Sequence, residues 1–362
     1  MKRFLLISMC VALSMLMPLS SWAQEAYSVV KNGTITFYYD NNKSTRDGQV
    51  YNLAKEYVGD GNFPAWKNGD FSTVRFDSSF GGYSPTSTAR WFHSCAGITS
   101  IEGLENLNTS AVTNMSSMFY GCSSLIKIDL SGFNTSSVAS MSTMFYGCAK
   151  LESLDLSSFD TKNVTNLVAM FYGCSALKDI NVSSFNTKNV DDLEYLFFGC
   201  SQLQKLYVTN FNTSKVTNME ALFANCSSLK ELDLSSFTTN NVTNIQMLFS
   251  DCTSLQTIYV SEGWSTENVT SGLWVFDNCP KLVGGEGTAC ATSFITSYLY
   301  AKIDEYVSPG YFTYKSYDPN GINSIIAEKG IRNGSYYSID GKRIEIPRKG
   351  LVINNGKKYI IR

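Results

Sequence analysis

Cysteine returns at a fixed interval through the middle of the chain. From Cys122 through Cys148, Cys174, Cys200, Cys226 and Cys252 the step is 26 residues, then 27 to Cys279. The neighbouring residues return with it. Met118-Phe119-Tyr120-Gly121-Cys122 is followed by Met144-Phe145-Tyr146-Gly147-Cys148 and Met170-Phe171-Tyr172-Gly173-Cys174. Weaker copies run through Leu196-Phe197, Leu222-Phe223, Leu248-Phe249 and Val275-Phe276, and an earlier one, Trp91-Phe92-His93-Ser94-Cys95, stands 27 residues upstream. A fixed period in the twenties predicts a stack of eight coils, each burying its apolar face against its neighbours.

The stretch from Val138 to Val164 predicts the form of one coil. Val138, Met141, Met144, Phe145 and Cys148 fall on the stripe of a short helix. Ser140, and in its column Asn114, Asn166, Asn218 and Asn244, are placed to cap the start of that helix, and Gly147 to end it. Leu154 and Leu156 alternate with Asp155 in a brief strand, after which Ser157 to Thr161 turns the chain back with Phe159 inward. The expected fold is an α/β repeat solenoid, leucine-rich-repeat-like, with stacked parallel strands on one side, short helices on the other, and a cap at each end.

The repeated phrase Cys-Ser-Ser-Leu-x-x-Leu-Asp-Leu-Ser-Ser-Phe-Asn-Thr-x-x-Val-Thr-Asn-Met-x-x-Met-Phe-x-Gly resembles the BspA-like leucine-rich repeat surface proteins of bacteria. The closest copies run from Asn114 to Leu156 and from Asn218 to Leu234. The resemblance covers residues 91–283, with His93 in the tyrosine column of the first coil and an inserted residue near Gly272 in the last. The flanks, Gly33 to Asp40 ahead and Pro309 to Thr313 behind, resemble Bacteroidetes members of the same family. The resemblance implies surface display and attachment to host matrix proteins or to other cells.

The opening Met1-Lys2-Arg3, the apolar run Phe4 to Leu19 and the small residues before Gln24 read as a secretory signal peptide over residues 1–23. Lipidation at Cys10 is the alternative, with Met9 standing where a small residue is wanted. No second run of spanning length follows, so the mature chain is expected to be exported, at the cell surface or free, without a transmembrane segment. Residues 24–90 are expected to form a β-rich N-terminal cap, with an independent ligand domain as the alternative, 91–283 the solenoid and 284–316 a C-terminal cap. Residues 317–362 read as a linker and a short β module with Asp340-Gly341 and Asn355-Gly356 turns, resembling a C-terminal sorting signal.

Export would favour disulfides, but eight cysteines in one column point the same way at about 4.8 Å spacing, poor geometry for a bridge, and read as small buried residues. Without Lys2 and Arg3 the formal charge moves from −2 to −4, and no basic run is present, which argues against nucleic acid.

Catalytic, cofactor and metal sites are not expected. His93 is the sole histidine, so no Ser/His/Asp or Cys/His set can be assembled. Asp129 and Asp155 should be stacked neighbours, but on a flat sheet rather than in a cleft with one acid desolvated. Gly284-Gly285-Glu286-Gly287 lacks the Lys-Ser/Thr of a phosphate loop. The abundant Asn-x-Ser/Thr triplets at Asn108, Asn134, Asn163, Asn212 and Asn241 fall at turns and read as turn chemistry.

What remains is surface. One outward column of the sheet holds Lys127, Ser153, Asp179, Lys205, Glu231 and Thr257; the next holds Asp129, Asp155, Asn181, Tyr207, Asp233 and Tyr259. Exposed tyrosines are frequent interface anchors, so a host matrix or cell-surface protein is the expected partner of this face. An alternative site is the stripe Tyr120, Tyr146, Tyr172 and Phe198, an aromatic ledge that could hold sugar rings for carbohydrate capture in nutrient uptake, or simply shield the helix ends. A spacer with no ligand of its own is the third possibility.

Overall fold

The computed structural model describes residues 23–57, 61–291 and 298–317, and four strands between residues 336 and 361. The expected signal peptide, the linker and the two Asx-Gly turns of the tail fall largely or wholly outside these residues.

The chain begins with β1 (Glu25–Lys31) and β2 (Thr34–Asp40), an antiparallel hairpin that turns at Asn32 and Gly33 with φ of 50° and 73°. Left-handed backbone at both turn residues matches the twist of the paired strands. β3 (Gln49–Asn52) lies antiparallel on the outer side of β1. β4 (Thr73–Phe76) joins β2 in parallel, and β5 (Ser100–Glu102) joins β4 in parallel. The pairing Val74↔Ile101 spans one period of 27 residues, so the repeat's strand column starts inside the N-terminal sheet. Behind it, Phe37 packs against Trp66, Phe76, Phe80 and Trp91, and the Trp66 indole donates to the Trp91 carbonyl at 2.8 Å.

Further along the column, β6 (Ser153–Asp155) pairs in parallel with β7 (Asp179–Asn181), and β8 (Glu231–Leu234) with β9 (Thr257–Val260). Leu154, Ile180, Leu232 and Ile258 point inward while their neighbours point out, the alternation a half-buried strand requires. Under the strands run straight columns of core residues. Phe92, Phe119, Phe145, Phe171, Phe197, Phe223, Phe249 and Phe276 stack with ring centroids 5.4–6.1 Å apart. All nine cysteines among the described residues are buried free thiols. From Cys122 to Cys279 each repeat thiol donates to the phenylalanine carbonyl of the preceding coil, as Cys148 does to Phe119 and Cys174 to Phe145, both at 3.2 Å, while Cys95 points to the Lys67 carbonyl. Burial pushes the Cys148 and Cys226 thiols up to about 12.

The expected short helices do not form, and no α-helix occurs among the described residues. Residues Met141 to Cys148 show why. Met144, Tyr146 and Cys148 donate within the coil to the carbonyls of Met141, Thr143 and Phe145. The alternate donors Met141, Thr143, Phe145 and Gly147 bond instead to Asn166, Val168, Met170 and Tyr172 of the next coil, at 2.7–3.0 Å. An α-helix would consume all of these donors internally. Left-handed residues at Thr143 (φ 53°) and Gly147 (φ 69°) break any helical run, and later coils place Asn225, Asp251 and Asn278 in the glycine's position. Asparagine and aspartate tolerate that conformation better than other non-glycine residues. The residues expected as helix caps make tight Asx turns instead: Asn166 Oδ1 accepts from Val168 N at 3.1 Å, and Asn218 Oδ1 from Glu220 N at 3.0 Å. Their backbones also form a second column of parallel bridges, Asn114↔Ser140↔Asn166 and Asp192↔Asn218↔Asn244. The unit is therefore a short extended segment followed by turns that bond from coil to coil. The expected column of strands is interrupted: residues 125–130 and 203–208 form no strand, which leaves β6-β7 and β8-β9 in separate sheets.

At the far end β10 (Thr313–Tyr314) adds in parallel to β9. Buried Asp304 organises the preceding loop, accepting from Glu286 N, Thr288 N, Thr288 Oγ1 and Gly310 N. The tail strands β11 (Tyr336–Ser338), β12 (Arg343–Ile344), β13 (Gly350–Asn354) and β14 (Lys357–Ile361) form an antiparallel sheet in the order β12-β11-β13-β14.

Candidate functional site

The strand column presents its polar residues outward, as the alternation dictates. Lys127, Asp129, Asp155, Asn181, Lys205 and Tyr207 are exposed, while Asp233 and Tyr259 are half-buried. The acidic column is not idle. Asp129, Asp155, Asn181 and Asp233 each use Oδ1 to accept a backbone N–H two residues on, from Ser131, Ser157, Ser183 and Ser235. Those bonds, with the serine hydroxyls, hold the Asp129 and Asp155 carboxyls below the usual carboxylate range. These side chains therefore close the turn after each strand. No group of three or more His, Cys, Asp or Glu among the described residues is placed to hold a metal ion.

Five of the outward-column residues come together. Lys205, Tyr207, Glu231, Asp233 and Tyr259 line a cleft of about 220 Å³ with Lys315. Tyr207 stands 68 % exposed at its edge. Lys315 Nζ lies 2.5 Å from Asp233 Oδ2 and 5.3 Å from the centre of the Tyr259 ring. Burial alone would raise the Asp233 carboxyl, but hydrogen bonds from Lys315 and Ser235 outweigh it and the group stays low. Lys127, Asp129, Asp155 and Asn181 lie on coils outside the cleft lining. Nothing in the repeat signals Lys315, which comes from beyond it.

The aromatic ledge is one continuous stack. His93, Tyr120, Tyr146, Tyr172 and Phe198 follow one another at 4.3–4.5 Å with planes within 10° of parallel. Phe63 covers the outer face of His93 at 4.6 Å, and Tyr195 meets Tyr172 and Phe198 edge-on. The inner rings therefore spend their faces on one another. Burial and the neighbouring phenols push Tyr146 up to about 12. Burial, with Lys67 and Arg90 nearby, pushes His93 down to about 4.

A second concavity, about 590 Å³, lies on the N-terminal sheet among Thr34, Thr36, Tyr38, Arg46, Asp47 and Arg75. Sequence reasoning missed it, because the residues come from separate strands without a repeat. Its cations are paired: Lys31 with Asp47, Arg46 with Asp40 and Arg75 with Glu102.

Two overlapping stretches, residues 86–205 and 165–284, match the model of the family described as "Mycoplasma protein of unknown function, DUF285". Together they span more than half of the chain. The chain belongs to the DUF285 family. The second match is displaced from the first by three coils, as a repeat permits when one family model fits in two registers. No curated protein matches the DUF285 chain. Among solved structures, a leucine-rich cell surface protein from Faecalibacterium prausnitzii A2-165 is similar at 15 % identity over 70 % of this chain and 91 % of that one, with a TM-score of 0.27. A leucine-rich repeat protein from Eubacterium ventriosum ATCC 27560 is similar at 17 % identity over 73 % and 82 %, also at 0.27. Superpositions at that score inform neither the fold nor the site. No helix among the described residues is long and apolar enough to cross a membrane.

Proposed function

We propose that this DUF285 protein is an exported, non-enzymatic surface protein that binds a host extracellular-matrix or cell-surface protein through the face carrying β6 to β9. The observation that carries the reading is Tyr207, 68 % exposed on the segment between β7 and β8 and lining, with Tyr259, a cleft that the core does not need. Aromatic side chains of this kind anchor protein interfaces. Export rests on the leader-like residues 1–23, and attachment on the likeness of the repeat to BspA-like proteins. Residues 24–90 and 284–316 would close the ends of the array, and the tail sheet would serve sorting. Eight coils at about 4.8 Å give a face roughly 40 Å long, sufficient for an ordinary protein interface.

The test is binding of the full chain to immobilised matrix proteins and to a glycan panel at two salt concentrations. Tyr207→Ala and Tyr259→Ala should each weaken binding to a matrix protein by roughly 5- to 30-fold. Unchanged affinity in both variants would remove this face from the interaction. Carbohydrate is the second reading, favoured by the unbroken run of rings from Tyr120 to Phe198. Because those faces are mutually stacked, a glycan would have to use ring edges and hydroxyls. Binding confined to glycans and reduced by Tyr120→Ala, Tyr146→Ala or Tyr172→Ala would move the site to the ledge.

A further inference from the structure

We propose that the cleft at Tyr207, Asp233 and Tyr259 is a receptor for the ammonium of a lysine side chain presented by a partner protein, and that Lys315 is the chain's own occupant of it. The inference rests on the reading of this face as the binding surface and names the chemistry it takes.

Asp233 divides its two oxygens between the fold and a cation. Oδ1 holds the turn through Ser235 N at 3.0 Å, as its column-mates do, while Oδ2 faces the cleft and accepts from Lys315 Nζ. Among the described residues Asp129 and Asp155 have no ion pair, so the cation is a property of this place and not of the column. Beside the carboxylate lies the face of Tyr259, and Tyr207 stands exposed at the rim. A carboxylate flanked by aromatic rings is the chemistry that selects an ammonium group. Charge agrees. Lys205 and Glu231 bring opposite charges to the lining, so displacement of Lys315 leaves Asp233 as its one unbalanced charge.

Lys315 is anchored through its backbone, its N–H donating to the Val260 carbonyl at 2.8 Å, but its side chain is held less firmly. It arrives from 82 residues away, just after the two-residue strand β10, and its side chain is 49 % exposed. A half-exposed pair of this kind is weak enough for a second ammonium to compete with it, the tethered Lys315 keeping only the advantage of its effective concentration. A partner lysine would thus exchange with the Lys315 side chain, while the Lys315 backbone stays bonded to Val260.

The experiment is a saturation-transfer NMR titration of the full chain with Nα-acetyl-lysine methylamide, with its Nε-acetylated form as the neutral control. Lys315→Ala should bind the lysine probe roughly five-fold more tightly than the parent, the gain expected when a weak internal competitor is removed. Adding Asp233→Asn to that variant should abolish the gain, and the neutral probe should gain nothing. Lys315→Gln, which keeps the length of the side chain, repeats the comparison if the alanine variant fails to fold. Equal affinity in the parent and the Lys315 variants, or an equal gain for the neutral probe, would overturn the proposal. A matrix partner lost on Tyr207→Ala together with a silent lysine probe would sink only the ammonium site. A lysine probe that behaves as expected with no matrix partner found would sink only the partner assignment.

Discussion

His93 occupies the column that holds tyrosine in the following coils, and the exchange has a consequence for acid stability. The ring lies flat on Tyr120 at 4.4 Å, with Phe63 on its outer side and the Ser94 hydroxyl 2.8 Å from Nδ1. Burial, then Lys67 and Arg90, depress it from 6.5 to about 4, so the folded protein holds the ring neutral. Between those two values the unfolded chain takes up a proton that the folded chain does not. Stability contributed by the neutral ring is therefore complete above pH 6.5 and falls as the pH drops toward 4. His93→Tyr restores the repeat residue and removes this titration. The melting temperature of the parent should fall further than that of the variant between pH 7 and pH 4.5, and parallel falls would show the ring to be unperturbed. The column and its substitution were legible as sequence. The neutral state was not, because Lys67 and Phe63 approach from the N-terminal segment, outside any repeat.

The coil as an element is fastened by a device that its spacing concealed. Six coils, from Thr109 to Thr239, carry a buried threonine whose hydroxyl donates to a carbonyl of the next coil and accepts from the N–H of the same residue. Thr135 does this with Asp160, Thr161 with Asn186, and Thr187 with Asn212 at 2.9 and 2.8 Å. The triplets at Asn108, Asn134 and Asn212, which contain Thr109, Thr135 and Thr213, read as turn chemistry, and Asn134 and Asn212 do hold Asx turns through Ser136 and Ser214. The threonine's own role is invisible locally because its partner lies 25 residues away. Thr187→Val keeps the volume and orphans a buried donor and acceptor together. It should lower stability by roughly 2–4 kcal/mol in urea unfolding, while Thr187→Ser loses much less. A valine cost below about 0.5 kcal/mol would mean that water replaces the hydroxyl. The expected helix failed for the same reason: the stripe Val138, Met141, Met144, Phe145 and Cys148 does face the core, but alternate donors bond to the next coil.

For the molecule as a whole, an array held by neighbour contacts should lose its ends before its middle. The C-terminal end depends on Asp304, 4 % exposed and bonded by three backbone N–H groups and one hydroxyl. Asp304→Ala leaves those donors buried without an acceptor, a local loss of roughly 3–5 kcal/mol. Hydrogen exchange should then accelerate across residues 284–317 while the coils from Met115 to Cys200 keep their protection. Uniform loss along the chain would show that the array unfolds as one unit. The DUF285 match and the resemblance to surface proteins describe the array; neither describes the segment that crosses back from it to the cleft.

The sequence by itself determined the period, the inward columns of phenylalanine, leucine and cysteine, and which side chains of the strand face outward. Each follows from chemistry repeated in register, and a repeat states that chemistry several times over. Only the tertiary structure decided that turns replace helices, that threonines staple coil to coil, that the ledge rings close on one another, and that Lys315 reaches Asp233. In each case the deciding contact is a hydrogen bond, a ring face or a charge supplied by another coil or by a segment outside the repeat. Spacing within one coil carries no record of such a partner.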